Sequence, residues 1–318
     1  MELDVKPCKK KVECAREFIG LMVLQETIKI VDLINCGSFG DIYLGEEVKT
    51  GEYWAVKFNS REAKRNIDSL LKEFSTMKKI EGKGNFPKCY IEYSNQNQAR
   101  ETVLVMEHLG PNLYELFKIC NKRLSPATVA WAAAKILRNL KDMHSCGIVH
   151  RDIKPENFCL GGSNLDQVFM IDFGLSKEYV LEDGSMRTIS QSNGFVGTPR
   201  YASRHAHLGL SQSRRDDLEA LGYMCIFLIK GSLPWQSIKI KDKKLKHKEL
   251  NLQKESIQLG LLCSGLPSVF EEYLAITRKL SFDDDAPYDF LIQKFDSTAC
   301  SIAALDWQPY SAVVFSLI

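Results

Sequence analysis

His150-Arg151-Asp152-Ile153-Lys154-Pro155-Glu156-Asn157 is followed, twenty residues after Asp152, by Asp172-Phe173-Gly174. Transfer of a phosphoryl group from a nucleotide needs these residue types in this order. One carboxylate must orient the attacking hydroxyl, a second must hold Mg²⁺ against the phosphates, and a neutral oxygen must complete the metal's ligand set. Asp152, Asp172 and Asn157 can fill those roles, and their spacing matches an established pattern. Either tripeptide alone arises readily by chance. The two together, with a third element upstream, do not, and the surrounding strands and helices are the context that must confirm them.

Upstream, Ile28 to Ile34 reads as a strand entering Asn35-Cys36-Gly37-Ser38-Phe39-Gly40, and residues 41–45 as the returning strand. Gly37 and Gly40 remove the Cβ atoms that would keep backbone N–H groups away from a phosphate. By itself this is also how an ordinary hairpin turn reads. After a turn at Thr50-Gly51, Tyr53-Trp54-Ala55-Val56-Lys57 reads as a strand that ends on a lysine. Ile67, Leu70, Leu71, Phe74 and Met77 recur at helical spacing, which predicts an amphipathic helix over 61–80. Glu73 lies beside its apolar stripe and is the candidate partner of Lys57; Glu62 is a weaker rival, and a solvated helix face is the bland alternative.

Thr102 to Met106 reads as a buried strand, and Glu107-His108-Leu109-Gly110-Pro111 as a connector. Beyond it, 112–120 and 125–145 read as helices, the second opened by Ser125-Pro126 as cap and first turn. The rest is mostly helical. The expected division is an N-terminal arm over 1–20, a β-rich part over about 21–108 and a helical part over about 109–318.

The 318 residues, 45% hydrophobic and 26% charged, suit a soluble globular protein with a large core. A net charge of +2 gives no argument for nucleic acid as the main partner. None of the ten cysteines shows CxxC spacing, so no zinc ribbon or thioredoxin-type site is visible. Met1 to Lys6 carries no apolar stretch, so no secretory signal is expected, and reduced thiols in a cytoplasmic or also nuclear protein are. The longest apolar run, Leu221 to Ile229, is too short to span a bilayer, so no membrane partner is expected.

Taken together, these stretches resemble protein kinases. The resemblance implies a bilobal α+β fold with ATP and Mg²⁺ as cofactors. Asp152 would orient or accept the proton of the substrate hydroxyl, and Asn157 and Asp172 would ligate Mg²⁺. Lys154 would offset charge at the γ-phosphate and marks serine/threonine rather than tyrosine kinases. Lys57, paired with Glu73, would bind the α- and β-phosphates under Gly37, Ser38, Phe39 and Gly40. Ile34, Ile42, Ala55 and Cys159 would enclose the adenine, with Met106 as gatekeeper and the backbone of Glu107 and Leu109 at its edge. Asp217 would brace the catalytic loop from a helix below.

Gly197-Thr198-Pro199-Arg200-Tyr201-Ala202-Ser203 narrows the resemblance, because most kinases carry Ala-Pro-Glu here. The segment is similar to the casein kinase I superfamily. So are Leu109-Gly110-Pro111-Asn112-Leu113, Ser213-Arg214-Arg215-Asp216-Asp217-Leu218-Glu219, Gly231-Ser232-Leu233-Pro234-Trp235 and Ser281-Phe282-Asp283-Asp284. The likeness runs from about Ile28 to about residue 300. Asp183-Gly184 with Gly194 to Gly197, and Phe295-Asp296 with Asp306-Trp307, resemble the tau-tubulin kinase branch, and so a divergent member near that branch is expected. It implies protein substrates bearing acidic or already phosphorylated segments, met by an anion site at Arg200 and Lys246. Independently, six lysines lie within 239–248, although a solvated surface accounts for most of them. A monomer is the default expectation.

Two other classes compete. Small-molecule phosphotransferases share an aspartate-to-asparagine loop but usually lack the HRDxKPxN form. A pseudokinase scaffold would keep the fold without the chemistry, yet such proteins usually lose Lys57, Asp152 or Asp172, and all three are present. Three departures from the family stand out. Asn35 replaces the first loop glycine and is expected to weaken phosphate binding, because asparagine tolerates positive φ better than most residues but less well than glycine. Cys36 in the loop is an expected oxidation site. Arg204-His205 replaces Ile-Asn and is expected to alter the substrate-side surface.

Overall fold

The computed structural model describes residues 18–37, 40–58, 67–94, 101–162, 164–181, 183–191, 194–300 and 304–315. They form two compact units. The first runs to Glu81 and resumes over Pro87–Leu109; the second comprises Gly82–Phe86 and everything from Gly110. The second unit thus takes in a short excursion, Gly82–Phe86, that no composition change marks. Hydrogen bonding explains that excursion, because the Asn85 carbonyl accepts from Met170 and its amide donates to Asn139 Oδ1.

The first unit is an antiparallel sheet of β1 (Met22–Val23), β2 (Ile28–Gly37), β3 (Gly40–Glu47), β4 (Tyr53–Phe58), β5 (Cys89–Ser94) and β6 (Glu101–Glu107). Their order is β1-β2-β3-β4-β6-β5. Alternation sets its core face: Ile28, Ile30, Tyr43, Val56, Val103 and Val105 are buried. Phe18 caps them, stacked on Phe58 at 4.3 Å and edge-on to Tyr43 at 5.7 Å. Phe18 therefore belongs to the core and not to the arm that the sequence reading drew through residue 20. Helix α1 (Ile67–Ile80) is the predicted amphipathic helix; the part expected over 61–66, with Glu62, lies outside the described residues.

The second unit is mostly helical. Helix α2 (Leu113–Ile119) starts at a capping box between Asn112 and Glu115, and α3 (Pro126–Ser145) starts where the Ser125 side chain accepts from the Thr128 amide. Two strand pairs follow. They are β7 (Ile148–Val149) with β10 (Lys177–Glu178), and β8 (Phe158–Leu160) with β9 (Val168–Met170). Next come α4 (Arg204–His207), α5 (Arg214–Lys230), α6 (Lys243–Ser256), α7 (Leu259–Leu262), α8 (Ser268–Thr277), α9 (Tyr288–Ala299) and α10 (Ser311–Phe315). Every residue of α5 from Arg215 to Leu228 is buried, as its apolar run predicts, so its charged side chains must find partners inside. No described helix is long and apolar enough to cross a membrane.

Candidate active site

In the first unit, the pairing of β3 with β4 sets Ile42 opposite Lys57, and β6 sets Met106 opposite Ala55. Lys57 points inward at 4% exposure and Glu73 on α1 at 2%. The ammonium donates to both carboxylate oxygens, at 2.9 and 2.8 Å. The rival Glu62 is not among the described residues. A buried pair of this kind is retained only when both partners are present, because losing one costs about 3–5 kcal/mol. Gly40 closes the hairpin at φ +134°, where an added Cβ would stand 2.1 Å from the Phe58 carbonyl oxygen. Only glycine fits there. Ser38 and Phe39, placed at the tip by the sequence, lie outside the described residues, as does the side chain of Cys36.

Asn35 is paired with Ile42 in the strand and is not among the residues of positive φ. The expected backbone penalty for replacing glycine there is therefore absent. Ile34 is exposed at 48%, and Met106, Glu107 and Leu109 are half-buried. The Glu107 amide donates to the Lys88 carbonyl, whereas the Leu109 amide has no hydrogen-bond partner among the described residues.

In the second unit, Asp217 on α5 holds the loop that carries Asp152. One oxygen accepts from the His150 amide at 2.7 Å and from His144 Nε2 at 3.0 Å; the other accepts from the Arg151 amide at 2.8 Å. Burial opposes its ionisation, but the His144 hydrogen bond, the neighbouring imidazoles and the His150 amide outweigh burial and hold the carboxyl below the usual carboxylate range. Arg151 is held at φ 70° and Asp172 at φ 64°, a left-handed backbone that non-glycine residues adopt only when their surroundings impose it.

Asp152, 3% exposed, has both oxygens engaged. Oδ2 accepts from Lys154 Nζ at 2.6 Å and Oδ1 from the Thr198 hydroxyl at 2.6 Å. Asn157 donates Nδ2 to the Asp152 carbonyl at 2.8 Å, which leaves its amide oxygen as the acceptor end. Its own carbonyl accepts from the Ile171 amide at 3.0 Å, so the loop carrying Asn157 is tied to the residue before Asp172. A carboxylate and an amide oxygen are hard donors that suit Mg²⁺ completed by phosphate and water. Among the described residues no set of three or more His, Cys, Asp or Glu forms a self-sufficient metal site, and this chemistry does not need one. Cys159 is buried between Asn112 and Phe169, and burial pushes its thiol up to about 12, leaving it an apolar wall.

Arg200 lies over the rings of Phe227 at 4.9 Å and Tyr201 at 5.6 Å, and Lys246 is half-exposed in the second turn of α6. Neither forms an ion pair among the described residues, and no contact brings the two together. Arg204, expected on the surface, turns inward. It donates to the buried Glu219 at 3.0 Å and to Glu255 at 3.0 and 3.1 Å. Residues 283–285 are structural: Asp284 accepts from the Ser281 amide, and Arg214 bonds Asp285 and the Asp283 carbonyl.

Residues 28–279 match the family model for the protein kinase domain. The match covers well over half of the chain, and the chain belongs to the protein kinase family. A β-rich N-terminal unit followed by a mostly helical one is the α+β kinase fold, a transferase architecture that uses ATP. Sequence reasoning missed one member of the site. Thr198 was read only as part of a family segment, yet its hydroxyl sits on Asp152. The signal available was its place after Gly197, which sits at φ +112° and where an added Cβ would stand 2.5 Å from the Arg151 carbonyl oxygen, so that only glycine lets the chain pass beside the loop that carries Asp152.

Proposed function

We propose that this protein transfers the γ-phosphate of ATP to serine or threonine hydroxyls of protein substrates. The observation that carries this reading is Asp152, buried, with Lys154 on one oxygen and Thr198 on the other. Thr198 and Lys154 fix the carboxylate so that it can orient a substrate hydroxyl and take its proton. Lys154 also supplies positive charge where the transferring phosphoryl group gathers negative charge. Asn157 and Asp172 would hold Mg²⁺, which neutralises phosphate charge when bound. Lys57 would meet the α- and β-phosphates, and the Glu107 carbonyl and Leu109 amide would read the adenine edge past Met106, with Ile34, Ile42, Ala55 and Cys159 as its walls.

The casein kinase I superfamily, near its tau-tubulin kinase branch, is our assignment within the family. It rests on the Gly197–Ser203 segment and the stretches that accompany it. It carries the preference for acidic or phospho-primed substrates, which is supported by Arg200 and Lys246 having no carboxylate partner among the described residues. Assays of matched serine, threonine and tyrosine peptides, each primed and unprimed, test both parts. Transfer to serine or threonine with a primed preference is expected. Transfer to tyrosine alone would contradict the first part, and equal rates on primed and unprimed peptides the second. Our reading is of a monomer in the cytoplasm or also the nucleus.

Two further outcomes follow from the site. Lys57→Met removes the charge that faces the phosphates and strands Glu73, so kcat/KM for ATP is expected to fall by about 10²-fold or more. Retention of wild-type kcat/KM would remove Lys57 from the site. Activity is also expected to survive phosphatase treatment. Arg151 Nε donates to the Leu175 carbonyl at 2.6 Å, so the guanidinium is already tied to this segment with no phosphate on it. Loss of activity after phosphatase would overturn that expectation.

A further inference from the structure

Lys254 on α6 is fully buried, and lysines are almost never so unless paired with a carboxylate. No carboxylate lies within ion-pair distance among the described residues. Its three N–H donors are instead spent on the Ala202 carbonyl at 2.7 Å, the Pro199 carbonyl at 2.9 Å and His207 Nε2 at 3.1 Å. The rings of Trp235 and Tyr223 lie 5.0 and 5.1 Å from the ammonium. Two of its acceptors therefore belong to the segment that follows Thr198, the residue whose hydroxyl grips Asp152 Oδ1.

We propose that Lys254 is a positioning residue for phosphate transfer: by holding the Pro199 and Ala202 carbonyls it fixes the backbone that presents the Thr198 hydroxyl to Asp152. The inference rests on the reading of Asp152 as the catalytic carboxylate. Lys254 touches neither nucleotide nor substrate. A buried lysine serving only as a staple would have no reason to act through Thr198.

The cluster around the ammonium also gives its proton a route out. His207 Nε2 accepts from Lys254, so the His207 proton sits on Nδ1 and donates to His247 Nδ1 at 3.1 Å. His247 then carries its own proton on Nε2 and is half-exposed, stacked on Phe195 at 4.1 Å. When Lys254 gives its proton to His207 Nε2, His207 passes the Nδ1 proton to His247 and His247 releases its Nε2 proton to solvent. One proton leaves in total. The neutral amine still donates to both carbonyls and accepts from His207, so no hydrogen bond is left unmade, only the charge assistance is lost.

Burial lowers the Lys254 ammonium to about 7, with Arg278 adding to the effect and Glu219 on α5 opposing it. The other ionisable groups around it are Tyr223, which donates to Glu219; Arg204, which donates to the same Glu219 oxygen; and the two histidines. His207 is held neutral, at about 2, by burial, by Lys254 and by His247. The grip on Pro199 and Ala202 is accordingly strongest below pH 7 and weakens as the pH rises through it.

The test is a steady-state comparison of wild type, Lys254→Met, Thr198→Val and the double variant across pH 6 to 8.5. Methionine keeps the packing between Tyr223 and Trp235 and removes the donors. The expected results are a fall in kcat of about 10- to 100-fold for Lys254→Met, an unchanged KM for ATP, and little further loss when Lys254→Met is added to Thr198→Val. A decline in wild-type kcat with a midpoint near pH 7 is expected to be missing from both single variants. A kcat within twofold of wild type, or losses that simply multiply in the double variant, would overturn the inference. If Lys254→Met does not fold, the comparison of wild type with Thr198→Val decides: a shared limb near pH 7 overturns the proposal, and its loss in Thr198→Val supports it. Should wild type transfer phosphate and Asp152→Asn not, while Lys254→Met matches wild type, the positioning role alone fails. No transfer by wild type would remove the catalytic reading and this inference with it.

Discussion

Asp152→Asn is expected to lower the rate of phosphate transfer by about 10²- to 10⁴-fold, the usual range for a lost general base. The amide has nearly the carboxylate's shape, so the loop around it should persist. It cannot take a proton, and one of its two ends can no longer accept. Either Lys154 or Thr198, which now bond the two oxygens at 2.6 Å each, would then face an N–H group. Nucleotide binding is expected to continue, because Lys57 and the first unit are untouched. The change should therefore appear in kcat, with the KM for ATP held. A variant that lost affinity with kcat intact would mean that Asp152 binds rather than reacts.

Asp217→Ala carries the second large effect, and it acts on the fold. Asp217 is 1% exposed and accepts from two backbone amides and an imidazole. Alanine would strand all three donors inside α5's packing, and each buried orphan costs about 1–3 kcal/mol. A loss of about 3–5 kcal/mol in unfolding free energy is expected, read as a lower urea midpoint at unchanged slope. Arg151 would also be free to leave its left-handed backbone, so activity should fall with stability. The pH dependence has a fixed sign. The Asp217 carboxyl is held below its ordinary range in the fold, so its contribution is complete above that range and is lost only as pH falls through the folded value. Wild type and variant should differ fully at neutral pH and converge only in acid. A urea midpoint equal to that of wild type would show that the loop does not depend on this brace.

Much of this site is legible in the sequence because its parts are local. Glu73 follows from helical spacing, Ser125 from its cap position, and the two aspartates from motif order. The apolar run at Leu221 marks a buried helix, whereas Asp217 stands out as a bracing residue only through the resemblance to protein kinases. What the sequence does not show is which charges turn inward. Arg204 reads as part of the substrate-side surface and Lys254 is not singled out at all, since their partners lie far along the chain: Glu219 and Glu255 for one, three groups spread over Pro199 to His207 for the other. Arg200 likewise reads as a bare cation, although two aromatic rings carry it. Gly82–Phe86 joins the second unit through backbone bonds to Met170 and Asn139, which no composition shift announces. Thr198 is the instructive case. Its role depends on Gly197 letting the chain pass close to the Arg151 carbonyl, where an added Cβ would come within 2.5 Å of the oxygen, a contact between loops that no periodicity encodes.

The central claim is that Asp152 works as the base of a protein kinase, and a phosphate-transfer assay tests it most directly. Labelled Mg-ATP would be offered with an acidic and a phospho-primed peptide to wild type and to Asp152→Asn. The account predicts label on peptide with wild type and its near-complete loss with the variant, at retained nucleotide binding. Equal transfer by both proteins, or binding of nucleotide without transfer by either, would contradict it; the second result would favour a scaffold that keeps the kinase fold without its chemistry.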